Sequence, residues 1–354
     1  MTTSDDFDPD STAPPSARMP HPSATSFDRV APIETMLVSG GSARPRWWTA
    51  LAVSGVAFAM CLVFSSLMVF VAMLIVHGEL DPRRLTDETF LRTILESRIG
   101  FCLMVVPPQL MLLVPAVIAA WMSPIEIRRR LSLVRGHWPI WAWIATAAAA
   151  PLVGLVSSAV LGIFMTESDS LKMMTSVFRG HSESGFLIPL ALMIGITPAI
   201  CEEILFRGYV QTRLARSFGP TAGVLVASIL FAGFHLDFVH SVAVFPLGLF
   251  LGFVVWRSGS LFPAMIAHFV NNVISVIGAA TAPADKTDVL ELPTIVVSLS
   301  ILGAGIIGAA VVVLASIYYR QPSVHREPGV TPLALDTGVS APIDDTPQPH
   351  DSAS

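Results

Sequence analysis

Long apolar runs, broken by short polar stretches, fill the middle of the chain. A helix needs about 20 mainly apolar residues to cross a bilayer. Runs of this kind fall at 47–76, 98–122, 138–165, 185–203, 219–236, 239–256, 260–281 and 293–319. The pattern therefore predicts eight transmembrane helices. Only Asp237 and a few neighbours separate the fifth from the sixth. The stretch 204–218 is too polar to span, and reads as a short amphipathic helix lying along the interface. The expected fold class is all-α: a polytopic membrane protein of about eight transmembrane helices with an intramembrane polar site.

The two ends of the chain break this pattern. Residues 1–46 and 321–354 are polar and rich in Pro, Ser, Thr and Asp. Such segments bury too little apolar surface to order themselves, and both read as disordered tails. The first is not a signal peptide, because no short apolar core follows a basic start. Gly is absent at position 2 and the last residues read DSAS, so no lipidation motif is expected at either end. The organisation that follows is a tail (1–46), N-terminal membrane helices (47–137), a core (138–281), a last membrane helix (282–320) and a second tail (321–354).

Composition supports the membrane reading. Of 354 residues, 53% are hydrophobic and 13% charged, and the mean hydropathy is +0.67. Soluble domains carry about a quarter charged residues. The net charge of -5 comes without a basic block, which argues against a nucleic-acid partner. The partner this composition predicts is the lipid bilayer. Cys61, Cys102 and Cys201 lie far apart in apolar runs without a CxxC pair. That usage fits neither a disulfide framework nor a zinc–thiolate site.

Positive charge predicts the orientation, because cytoplasmic loops carry an excess of Lys and Arg. With the N-terminus inside, 14 basic residues fall on the cytoplasmic side and 7 on the other. The cytoplasmic set includes Arg128, Arg129 and Arg130, read as topology signals. A multi-pass protein of the cell membrane with both termini cytoplasmic is expected. No internal repeat is visible, which gives no support to an inverted-repeat transporter.

Ionisable residues inside a membrane are costly, and mark function by default. They concentrate in three of the predicted helices. The fourth ends in Glu202 and Glu203, the fifth carries His235, and the seventh carries His268, Asn271 and Asn272. Helical residues four apart share a face. Glu203 can therefore pair with Arg207 in the favourable order, while Glu202 points about 100° away. His268 and Asn272 share a face, and so do Phe231 and His235. Glu202, His235, His268 and Asn272 can thus meet in one polar cavity.

That cavity has two chemical readings, both hydrolytic. Glu202 can take a proton from a water that a histidine helps to hold, with the other histidine and the asparagine donating to the oxyanion. Alternatively, Glu202, His235 and His268 can bind a zinc ion that acidifies its water.

Three motifs sharpen this picture. "EEILFR" (202–207) fits EExxxR, "FAGFH" (231–235) fits FxxxH, and "HFVNN" (268–272) fits HxxxN. In this order, on successive apolar helices, they resemble the CPBP family, which contains the Rce-type CAAX prenyl endopeptidases and bacterial relatives. The resemblance covers roughly residues 138–281 and implies an eight-helix intramembrane protease, often called a metalloprotease, with a peptide or protein substrate. It implies Glu202 as catalytic base, His235 as its partner on the water, and His268 and Asn272 as the oxyanion hole. Glu203 and Arg207 are implied as supporting structure. Zn2+ is implied as a cofactor only if the family's metal reading applies. Gly208 also fits the family's usual continuation.

Structural readings stand beside each of these. Glu202 and Glu203 could be interfacial charges at a helix end, and His235 an interfacial histidine. Either asparagine could bond a neighbouring helix; spacing favours Asn272 over Asn271. Asp237 and His240 read as a solvated turn, Cys201 as a small buried residue, and Pro198 as a bend. "GHSESG" (180–185) resembles a hydrolase elbow, but its fifth position is Ser184 and it reads as a loop with no strand before it. HExxH is absent. The competing function is a non-catalytic membrane scaffold, or a transporter-like protein of the same ancestry.

Overall fold

A computed structural model describes residues 46–282 and 292–319. The expected tails, apart from Arg46, lie outside the described residues. Within them the chain is helical, without a strand. Seven helices are long and apolar enough to cross a membrane: Trp48–His77, Arg98–Trp121, Ile140–Phe164, Leu187–Phe218, Phe238–Ser258, Phe262–Thr281 and Thr294–Tyr318. The polytopic all-α reading stands.

Two expectations need correction. The fifth apolar run forms a helix of only 14 residues, Pro220–Gly233. At 1.5 Å per residue it is about 21 Å long, too short to cross the hydrocarbon core alone. Gly219 (φ 89°) and Pro220 set its start, and the Asp237 turn cuts its end. The stretch 204–218 is not a separate interfacial helix. It continues the fourth span as one helix of 32 residues. Residues 203–211 form a π-helical segment, and every one of them is buried. Polarity misled the sequence reading, because each polar group here faces protein rather than lipid or water. Glu202 is consequently near the middle of this helix, not at its end.

The helix ends sort into two layers. At one end, His137 N–H donates to the Ser258 carbonyl (3.0 Å), Leu261 N–H donates to the Ser132 carbonyl (2.9 Å), and Trp47 packs on Phe218. The Tyr319 carbonyl bonds the His137 ring at the same end. At the other end, Arg98 bonds the Ser184 carbonyl, His181 bonds the Leu95 carbonyl and Arg179 bonds the Ala282 carbonyl. Two short helices, Glu88–Glu96 and Asp169–Glu183, lie in this second layer, capped by Asp87 and Ser168. Residues 180–183 of "GHSESG" end the helix Asp169–Glu183, and Ser184 and Gly185 form the turn after it. His181 is buried against Phe101 and Phe186.

Lipid tails are as apolar as leucine, so close packing and hydrogen bonds must hold such helices together. Gly248 and Gly252, four apart in Phe238–Ser258, supply both. A Cβ on Gly252 would sit 2.9 Å from the Gln211 side chain and 3.0 Å from Val224. With no side chain in the way, their carbonyls are open to the π-helical segment. Arg207 donates to Gly248 O (3.1 Å) and Gln211 to Gly252 O (2.9 Å).

The first layer gathers Arg128, Arg129, Arg130, Arg135, Arg213 and Arg216, all from the set assigned to the cytoplasm. We therefore propose that this layer faces inward. Reporter fusions after Arg46, Arg130 and Arg320 are expected to read cytoplasmic, and one beside Lys172 the opposite side. Agreement between the Arg130 and Lys172 reporters would refute the orientation.

Candidate functional site

Glu203 and Arg207 are four apart, and both are fully buried. Arg207 Nη1 donates to Glu203 Oε1 at 2.6 Å. The guanidinium also lies 4.3 Å from the Phe231 ring centroid. A lone charge here would be costly, and the pair with its carbonyl and ring contacts offsets much of that.

The same Glu203 oxygen accepts from His268 Nδ1 at 2.9 Å. This bond sets the ring. A carboxylate paired with an arginine can only accept, so Nδ1 carries the proton. His268 Nε2 then presents a lone pair when the ring is neutral, and an N–H only when a second proton is added. His268 is 3% exposed, and its Nε2 lies 3.9 Å from Glu202 Oε2.

Glu202 takes a different part. It is 7% exposed, and its Oε1 accepts from Gln109 Nε2 at 3.0 Å. No arginine or lysine pairs with it among the described residues. The carboxylate is thus held by one oxygen, with the other facing His268. Gln109 comes from the Arg98–Trp121 helix and was missed in the sequence, where a single glutamine beside Pro107 and Pro108 gives no signal.

His235 lies two residues past the end of Pro220–Gly233. Its Nδ1 donates to the Phe231 carbonyl (3.1 Å), one of the acceptors a helix end leaves open. Its Nε2 therefore carries the lone pair. The rings of His235 and His268 both pack edge-on against Phe231, at 5.2 and 5.8 Å. His240, read as part of a solvated turn, is half-buried, with its ring 4.6 Å from that of His235. Asp237 causes this: its side chain accepts from the His240 N–H (2.8 Å) and caps Phe238–Ser258. The Ser168 hydroxyl, then that N–H, hold the Asp237 carboxyl below its usual range.

Asn272 Nδ2 donates to Ile194 O at 3.3 Å. That carbonyl is available because its helical partner would be residue 198, and Pro198 has no N–H. Asn271 Nδ2 donates in turn to Asn272 Oδ1 at 3.2 Å. The two asparagines thus have separate parts. Asn271 is 7% exposed and holds Asn272, which keeps a second amide N–H to donate.

The structure therefore joins Glu203, Arg207 and His268 in one hydrogen-bonded group, places Glu202 3.9 Å from His268, and links His235 to His268 through the Phe231 ring. Asn272 lies one turn along from His268. The zinc reading needs more than this. Both imidazoles have the N–H engagement typical of metal-binding histidines. Yet among the described residues no three His, Cys, Asp or Glu side chains are gathered where they could hold a metal ion. The donors have the right chemistry but not the arrangement. Two apolar cavities, of about 530 and 650 Å3, lie elsewhere and include none of these residues.

Comparison with known proteins finds the same segment. A family model described as "Type II CAAX prenyl endopeptidase Rce1-like" matches residues 184–274, which contain all three motifs. An uncharacterized protein, YpbD of Bacillus subtilis (strain 168), is 30% identical over 91 residues, 25% of this chain and 44% of the relative. The match thus spans less than half of that relative's length. No solved structure matches. The motifs, the buried cluster and the family match fall on one stretch, and residues 184–274 are similar to the Rce1-like family model.

Proposed function

We propose that this chain is an intramembrane endopeptidase that hydrolyses a peptide bond of a membrane-associated protein or peptide. The observation that carries the proposal is the division of parts between two adjacent glutamates. Glu203 is committed to Arg207 and His268. Glu202 is buried without an arginine or lysine partner among the described residues, and hydrogen-bonded through one oxygen only. A carboxylate kept in that state at mid-membrane fits a base better than a structural group.

The reaction follows from the atoms available. A water beside Glu202 Oε2 gives that oxygen a proton as its own oxygen attacks the scissile carbonyl carbon. His235 Nε2 accepts a hydrogen bond from the water's other O–H, which stays on that oxygen, and so orients it. The carbonyl becomes an oxyanion, stabilised by the free N–H of Asn272 and by His268 in its doubly protonated form. As the C–N bond breaks, Glu202 passes its proton to the leaving amine. The products are a carboxylic acid and an amine, and Glu202 is again a carboxylate. Gln109 fixes the angle of the base.

No step here is routed through zinc, since the three ligands are not gathered. Activity of the purified protein is expected to survive strong chelation. Stoichiometric zinc in wild-type protein, absent from His235→Ala and needed for turnover, would overturn this. Asn272→Ala is expected to slow turnover by about 10²–10³-fold, the usual loss for one oxyanion donor, and to leave measurable activity. Undiminished turnover in that variant would remove Asn272 from the site.

The reading is tested directly by comparing protein N-termini in cells carrying wild-type protein with those carrying Glu202→Gln. New N-termini in or beside membrane segments, dependent on Glu202, are expected. Identical sets would favour a membrane scaffold of the same ancestry. The family match does not fix the substrate, and prenylation is not part of the proposal.

A further inference from the structure

Arg130, Arg213 and Arg216 form a second polar cluster, remote from the carboxylates. Arg130 is 3% exposed. Its guanidinium lies 5.9 Å from the Tyr209 ring centroid, and that of Arg213 lies 5.0 Å from the same ring. The Nε atoms of Arg130, Arg213 and Arg216 are all buried without a hydrogen-bond partner. None of the three joins an ion pair among the described residues. The nearby acid, Glu126, pairs with the exposed Arg129 instead.

The backbone holds Arg130 there. A Cβ on Gly208 would lie 3.0 Å from the Leu131 carbonyl, so the loop rests directly on the π-helical segment. Ser132 takes a left-handed conformation (φ 56°), and its carbonyl accepts from Leu261 N–H at 2.9 Å. Burial, then the charges of Arg213 and Arg216, lower the Arg130 pKa to about 10. It is still a cation at neutral pH. The fold thus fixes three positive charges together and supplies no anion.

We propose that this cluster binds a phosphate group, carried by an anionic phospholipid headgroup or free in solution. Guanidinium forks match phosphate oxygens in pairs. The cluster lies in the layer assigned to the cytoplasmic surface, where anionic headgroups concentrate. A bound phosphate at the guanidinium ends would offset the mutual repulsion. This site is independent of the proteolytic reading.

The test uses the full chain in neutral detergent. Thermal unfolding is followed with added phosphatidylglycerol, phosphatidylcholine, inorganic phosphate or chloride at equal ionic strength. Wild-type Tm is expected to rise with phosphatidylglycerol concentration, and less or not at all with phosphatidylcholine and chloride. A rise with phosphatidylglycerol alone assigns the lipid headgroup, and an equal rise with inorganic phosphate assigns the free anion. Arg213→Gln/Arg216→Gln is expected to lose the shift and, without anion, to be at least as stable as wild type because repulsion is gone. A double variant that keeps the shift, or that is less stable or unfolded without anion, overturns the proposal. So does a wild-type shift that is the same for all four additions.

Discussion

Glu202→Gln is expected to lower proteolysis by about 10²–10⁴-fold, the usual contribution of a positioned base. The change is nearly isosteric and removes only the ability to take a proton. The amide oxygen of the variant can still accept from Gln109 Nε2, so the bond now measured at 3.0 Å keeps its acceptor. The Glu203–Arg207 pair is untouched. The variant should therefore insert, fold and unfold like wild type while turning over far more slowly. A peptide substrate identified from the Glu202-dependent N-termini gives the assay, with detergent unfolding as the control. Full turnover by a well-folded Glu202→Gln protein would remove Glu202 as the base. Loss of both activity and fold would instead make it structural.

The sequence showed the helices and motifs well, because both rest on local signals. Apolar runs of spanning length are hard to mistake when lipid is the solvent. The Glu203–Arg207 pair was legible from a spacing of four. What failed was depth and partnership. Polar residues 203–211 looked interfacial, but their partners are on Phe238–Ser258, some 40 residues further along: Arg207 reaches Gly248 and Gln211 reaches Gly252. Gln109 joins Glu202 from 93 residues away. No periodicity carries such pairings. Pro198 has a further effect beyond the bend read from the sequence. This is the open Ile194 carbonyl that Asn272 takes, which needs the neighbouring helix to be seen. Asn271, weighed as a rival to Asn272, donates to the Asn272 side-chain oxygen, a contact that spacing alone did not show.

The second large effect is on stability. Glu203→Gln is expected to cost about 3–5 kcal/mol, the usual loss when one partner of a buried ion pair is removed. Arg207 would keep its bond to Gly248 O and its contact with Phe231. Its charge would be left fully buried with no paired carboxylate. The same substitution replaces the acceptor of His268 Nδ1, so the ring that faces Glu202 loses a charged anchor. Abundance in the membrane should fall, and surviving protein should unfold earlier in detergent. Arg207→Gln should be similarly harmful, because it leaves Glu203 as an unpaired buried anion. The double substitution should recover part of the loss, since no buried charge of the pair remains. That recovery separates an ion pair from two unrelated packing roles: strictly additive losses, or a Glu203→Gln protein as stable as wild type, would defeat the structural assignment of the pair while leaving the Glu202 prediction standing.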